Sequence, residues 1–143
     1  MSERLDVIGI GNAMVDAIIP SNKEEVEKHE INRDSMNLID EELKNKLHQD
    51  YKIKEMIGGG SLGNSMFGIT SFGGNGSFIG KIKDDNIGDF LQKDMIREGL
   101  QFPLGFTSPD ISTGCCTIFV EEDGTRTMCT FLGAGTLISP EDI

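Results

Sequence analysis

The sequence predicts an α/β fold, with a β-rich segment toward each end of the chain. Short apolar runs of strand length alternate with longer segments whose apolar residues recur every three or four positions. Glycines cluster between these segments, at Gly9 and Gly11, at Gly58, Gly59 and Gly60, at Gly73, Gly74 and Gly76, and at Gly133 and Gly135. An Asp-Gly pair, Asp123-Gly124, parts two late β-rich runs and signals a hairpin.

Taken in order, residues 5–10 form a mostly apolar run whose Val7, Ile8 and Ile10 predict a strand buried on both faces. Residues 15–19, rich in β-branched side chains and ended by Pro20, predict a second strand. Asn22 is placed to cap a short helix over residues 23–30, and residues 35–39 predict another strand. Asp40 caps a helix over 41–48 with Leu43 and Leu47 on one edge. Residues 53–57 predict a strand that enters the Gly58-Gly59-Gly60 turn, and Ser61 is placed to cap the helix beyond it, which buries Leu62, Met66 and Ile69. Residues 77–79 predict a short strand. Residues 86–98 predict an amphipathic helix, with Ile87, Leu91 and Met95 on one side and Gly99 at its stop. Residues 113–120 and 127–132 predict the hairpin strands. Ser139, Pro140, Glu141 and Asp142 have the chemistry of a helix start, which leads us to expect a chain cut short at residue 143.

The formal net charge of −11 opposes binding to a phosphate backbone, so nucleic acid is excluded as an expected partner. No apolar stretch is long enough to span a membrane, and the N-terminal run is too short for a secretion signal. Cys115 and Cys116 are adjacent and Cys129 is the third thiol, so the expectation is three reduced cysteines in a cytoplasmic protein, with no metal site.

Three constellations carry chemistry. Gly9-x-Gly11 follows a strand, but Met14 stands where a dinucleotide fingerprint needs a small residue, and a strand rather than a helix follows. A nicotinamide-dependent oxidoreductase is therefore disfavoured. Asn12 and Asp16 at the strand exit offer an amide and a carboxylate, a pair suited to a vicinal diol. The run GGGSLGNS, from Gly58 to Ser65, puts backbone amides at a helix N-terminus with Asn64 close by. The hairpin places Cys116, Ile118 and Val120 on one face and Cys115, Thr117 and Phe119 on the other. Both faces are largely apolar, so each is expected to pack on something: either one on a ligand and the other on a partner subunit, or both within an ordinary two-sided sandwich. Gly133-Ala134-Gly135 is followed by Thr136 rather than Asp and is read as a strand-exit turn.

These residues resemble a known family. LDVIGIGNAMVD, GGGSLGNS, FIGKIKDDNIGDF and DGTRTMCTFLGA together make essentially the whole chain similar to the N-terminal part of the phosphofructokinase B superfamily, nearest its adenosine kinase branch. The resemblance implies a ribokinase-like fold, a partial doubly wound sheet with a β-rich lid built from residues 15–57 and 113–132, and the C-terminal half absent. It implies that Asp16, with Asn12 beside it, holds sugar hydroxyls, that Asn64 holds a further one, and that Gly59 and Gly60 form the hinge of the lid. Met14, Met36, Leu38 and Cys116 become candidates for an apolar base pocket, and Arg126 for contact with the transferred phosphate. The implied activity is transfer of the γ-phosphate of ATP, with Mg2+, to a hydroxyl of a small-molecule sugar or nucleoside. No catalytic residue is expected in this chain, which should be inactive alone. The alternative reading is a non-catalytic binding module that self-associates into a homo-oligomer through the lid or an exposed sheet edge.

Overall fold

The computed structural model describes residues 4–103, 108 and 110–143; residues 1–3 of the N-terminal run lie outside the described residues. Two sheets organise the chain. Strand β1 (Val7–Ile10) pairs in parallel with β5 (Gly76–Ile79), and Gln101 extends the β5 side by a parallel bridge to Ser77. The second sheet has the order β3-β7-β6-β2-β4, with β2 at Met14–Pro20, β3 at Met36–Leu38, β4 at Glu55–Gly59, β6 at Gly114–Val120 and β7 at Arg126–Phe131. Strand β2 runs parallel to β6 and antiparallel to β4, while β6 and β7 form the expected antiparallel hairpin.

Among the described residues four α-helices join these strands: α1 (Lys23–Glu27), α2 (Glu41–Asp50), α3 (Ser61–Ser71) and α4 (Asn86–Arg97). Asn22 caps α1 in a reciprocal capping box with Glu25, and Asp40 caps α2 through the Leu43 amide. Helix α1 ends before the expected residue 30, where Glu30 takes a left-handed φ of 54° and turns the chain. The cap of α3 is Gly60, with φ 81°, rather than Ser61, which is the first helical residue. That backbone geometry favours glycine, so the third glycine of the run is needed by the turn itself. Asp85 caps α4, accepting from the Gly88 amide, and its other oxygen accepts from Thr113 N, which ties α4 to the start of β6. No helix among the described residues is long and apolar enough to cross a membrane.

Two cores hold the layers together. Val15, Met66, Phe78, Leu91, Met95 and Leu100 bury α3 and α4 against β1, β5 and the first half of β2. Ile19, Val26, Leu47, Phe119 and Cys129 bury α1 and α2 against one face of the second sheet. Each large side chain sealed in these cores contributes about 1.5–3 kcal/mol. The face carrying Cys115, Thr117 and Phe119 is covered by the chain's own α1 and α2, with Phe119 against Tyr51 and His29, so it packs as one side of a sandwich rather than on a partner subunit. The hairpin's two apolar faces could not reveal which element would cover them.

Strand β1 departs from expectation as well. Gly9 is buried against Leu62 and Met66 of α3, but Val7, Ile8 and Ile10 are 37%, 56% and 50% exposed. Ile8 and Ile10 point away from α3 by the alternation of a strand, toward a side left open. The segment after β7 turns as expected, as a 3-10 helix at Gly133–Leu137 in which Gly133, Ala134 and Gly135 are buried. Ser139 does cap a 3-10 turn at Pro140–Asp142, which Lys81 holds through an ion pair of 2.9 Å to Asp142.

Candidate functional site

Alternation along β2 divides its residues between two environments. Val15, Ala17 and Ile19 are fully buried or nearly so, which turns Met14, Asp16 and Ile18 to the opposite face. The strand register then builds rows across that face. One row runs Ile57, Asp16, Cys116, Thr130 and Leu38; the next runs Glu55, Ile18, Ile118, Met128 and Met36. Over these rows, and against the N-terminal turn of α3, lies a cavity of about 490 Å³. Asn12, Met14 and Asp16 line one side, Gly60, Ser61, Leu62 and Asn64 another, and Cys116, Ile118, Met128, Thr130 and Leu132 the apolar wall.

The cavity thus unites the carboxylate at the first strand exit with the amide beyond the glycine turn. Asp16 and Asn64 reach it from different elements, β2 and α3, separated by 48 positions in the chain (64 − 16). Gly59 does not line it, yet it shapes it: a methyl group on Gly59 would overlap the Asp16 carboxyl. Burial pushes the Asp16 carboxyl above its ordinary pKa, since the ionised form loses water. Burial likewise raises the Cys116 thiol, offset in part by the Thr130 hydroxyl, which donates to Sγ at 3.4 Å.

The four apolar candidates divide. Met14 and Cys116 line the cavity, whereas Met36 and Leu38 continue its rows outside it and are 55% and 66% exposed. Strands lie about 4.8 Å apart, so Leu38, three strands from Asp16, stands roughly 14 Å along the sheet, beyond the cavity wall. Leu38 instead borders a smaller cavity of about 240 Å³ with Thr130 and Leu132. Arg126 opens β7 on the face of Met128 and Thr130, exposed and outside the cavity lining.

The sequence puts Ile118 beside Cys116 on one hairpin face but does not single out Met128, Thr130 and Leu132 as wall residues. Once Cys116 and the hairpin register are known, alternation gives Ile118 on β6 and Met128 with Thr130 on β7. A larger cavity, about 700 Å³, lies farther along β2 on Ile18, Pro20 and Val120. Its polar lining is largely engaged elsewhere: Asn22 and Glu25 close the α1 capping box, and Glu121 pairs with Arg33 at 2.7 Å. It therefore lacks the free carboxylate-and-amide pair that distinguishes the smaller cavity.

Among the described residues, no three His, Cys, Asp or Glu side chains group to hold a metal ion. What the site can do is receive a molecule with hydroxyl groups at one end and an apolar body at the other. The Asp16 carboxyl and the Asn64 amide stand at the polar end of the cavity, and the β6–β7 wall forms its apolar side.

Comparisons with known proteins agree with this architecture. No curated protein matches the chain. Among solved structures, a probable sugar kinase from Rhizobium etli is 34% identical with a TM-score of 0.86, over 98% of this chain and 42% of that one. Adenosine kinase from Sinorhizobium meliloti is 35% identical with a TM-score of 0.85, over 97% of this chain and 42% of that one. Adenosine kinase from Anopheles gambiae, solved in complex with P1,P4-di(adenosine-5) tetraphosphate, shares the fold at 23% identity and a TM-score of 0.82, over 94% of this chain and 41% of that one. The chain thus spans about two-fifths of the structures it matches, so its ribokinase-like fold is a partial one. The model of the pfkB family carbohydrate kinases matches residues 30–142, and the chain belongs to that family.

Proposed function

We propose that this chain forms the acceptor-binding part of an ATP-dependent kinase that phosphorylates a hydroxyl of a nucleoside or sugar. The observation that carries the reading is the shared cavity of Asp16 and Asn64 beside an apolar wall. A carboxylate and an amide facing one space can hold neighbouring ribose hydroxyls. Cys116, Ile118 and Met128 would be of little use to a free sugar, but they suit a flat heterocyclic base, which favours a nucleoside.

In this reading the second sheet, residues 15–57 and 113–132, acts as a lid, with Gly59 and Gly60 as its hinge. Closing it would orient the acceptor hydroxyl and exclude water. Arg126, on the cavity face of β7 though outside its wall, would approach the transferred phosphate on closure. ATP would supply the phosphoryl group and Mg2+ would offset its charge; the described residues offer Mg2+ no grouped set of three ligands. The chain's own share is to bind and orient. The general base that takes the hydroxyl proton is not assigned to it, so it should be inactive by itself. Titrating the chain calorimetrically with adenosine and with ribose tests the binding role. Saturable binding of adenosine, lost in Asp16→Ala, supports it; equal heats for both proteins contradict it.

A second reading has its own observation. Val7, Ile8 and Ile10 are exposed on a strand that, among the described residues, is paired along one edge only, and such an edge favours self-association. Sedimentation across a concentration series distinguishes a binding module that self-associates from a monomeric chain.

A further inference from the structure

We infer that Asp94 is a positioning residue for the glycine turn, fixing Gly58 to helix α4 so that Gly59, Gly60 and Asn64 keep their places at the cavity. The inference rests on the reading of that cavity as the acceptor site. Asp94 lies on α4 and is almost fully buried, at 6% exposure. One of its oxygens, Oδ2, accepts the Gly58 amide at 2.8 Å, in a buried hydrogen bond between residues 36 positions apart. The other, Oδ1, pairs with the Arg97 guanidinium one turn on, and Arg97 is itself largely exposed.

Gly58 is held from a second side. A methyl group at position 58 would sit 2.8 Å from Asp94 Oδ2 and 2.8 Å from Phe67 Cζ of α3. The backbone at 58 is therefore clamped between α4 and α3, both packed in the same core. The next two glycines differ: Gly59 abuts the Asp16 carboxyl, and Gly60 meets the flexible Met14 side chain and the Asn12 carbonyl while its own carbonyl starts α3 by accepting from the Asn64 amide. Each glycine of the run thus has a distinct reason, and the first is the one that Asp94 ties to α4. A buried carboxylate with one backbone partner and one exposed counter-ion is an expensive device for a plain strand end. It is explained if the turn that leads from Gly58 to the cavity must keep its place.

The test is amide hydrogen exchange at Gly58 in the intact chain and in Asp94→Ala and Asp94→Asn, with adenosine titrations of all three. Asn keeps an oxygen to accept from Gly58 but loses the charge that meets Arg97. We expect Asp94→Ala to speed Gly58 exchange at least tenfold and to weaken adenosine binding at least fivefold. The Asn64 amide, bonded to the Gly60 carbonyl at 2.9 Å, should change less than twofold, since a general loss of stability would move both. Asp94→Asn should restore most of the Gly58 protection and the affinity. Unchanged Gly58 exchange in Asp94→Ala overturns the inference, as does parallel acceleration at Asn64, or unaltered affinity once Gly58 is released. If Asp94→Ala does not fold, Asp94→Asn decides: Gly58 protection within threefold of the parent supports the anchor, and full loss overturns it. Absence of adenosine binding by the parent chain would refute the reading of the cavity, while the exchange arm would still decide the anchor.

Discussion

The carboxyl group of Asp16 occupies the space above the α-carbon of Gly59, so that any side chain at 59 would displace it. The two residues sit on neighbouring strands, with Gly59 paired to Met14 and Asp16 to Ile57. The glycine run and the strand-exit acid are therefore one device rather than two: the absence of a Cβ at 59 is what lets the carboxylate face the cavity.

Gly59→Ala should push the Asp16 carboxyl out of place. Overpacking of this kind costs about 1–3 kcal/mol of stability. Adenosine affinity should fall at least tenfold, while Gly68→Ala, on a helical glycine with open space around it, should leave affinity unchanged. Thermal melts and calorimetric titrations check both.

Asp16→Asn should separate binding from stability. A hydrogen bond to a charged acceptor contributes about 1.5–3 kcal/mol, so affinity should fall about tenfold or more. Burial raises the folded-state pKa of Asp16, so the native protein holds its proton more tightly than the unfolded chain does. Stability from this group is then present below the unfolded value, about 3.9, and is lost as pH rises through the folded one. At pH 7 the Asn variant should melt higher than the parent, and the gap should close in acid.

His48 gives a pH dependence of the opposite sense. It is half-buried on α2, and its Nε2 shares a hydrogen bond of 2.8 Å with Thr117 Oγ1. Burial first, then Lys44, lowers its pKa, so the unfolded chain binds the proton more readily. Stability should fall as pH drops below about 6.5 toward the lower folded value. Melting curves between pH 7.5 and pH 5, run beside His48→Gln, check this: the parent should lose more than the variant.

Cys115 and Cys129 are buried thiols pushed up to about 12, chiefly by loss of solvent. At pH 8 only about one in ten thousand of each is thiolate. Native chain should resist iodoacetamide at these two positions for hours and react within minutes in denaturant. Mass spectrometry of the labelled peptides gives the site and rate.

Much of the fold was legible because its signals are local. Asn22 and Asp40 announce helices α1 and α2, and Asp123-Gly124 announces the β6–β7 hairpin. The misreadings concern what covers a surface. The spacing of Val7, Ile8 and Ile10 states that they are apolar, not whether a further layer lies over them. The hairpin face of Phe119 needed a cover, and nothing local says that α1 and α2 provide it. Lys44 shows the same limit: nothing local says that a lysine is 4% exposed, with Nζ 3.1 Å from Ser112 Oγ and lying over the Phe131 ring. At the candidate site, Asn12, Met14, Asp16, Gly60, Asn64 and Cys116 converge on one cavity, but Met36 and Leu38 fall outside it. Their face could be read from alternation; their distance from Asp16 depends on the strand order β3-β7-β6-β2, which no single segment encodes.

The most direct measurement is an amide chemical-shift titration of the isotopically labelled chain with adenosine. The account predicts saturable shifts centred on Asp16, Gly60, Asn64, Cys116 and Met128, abolished in Asp16→Ala. Saturable shifts centred instead on Ser21, Lys54 and Glu122 at the larger cavity, or no saturable shifts at all, would contradict it.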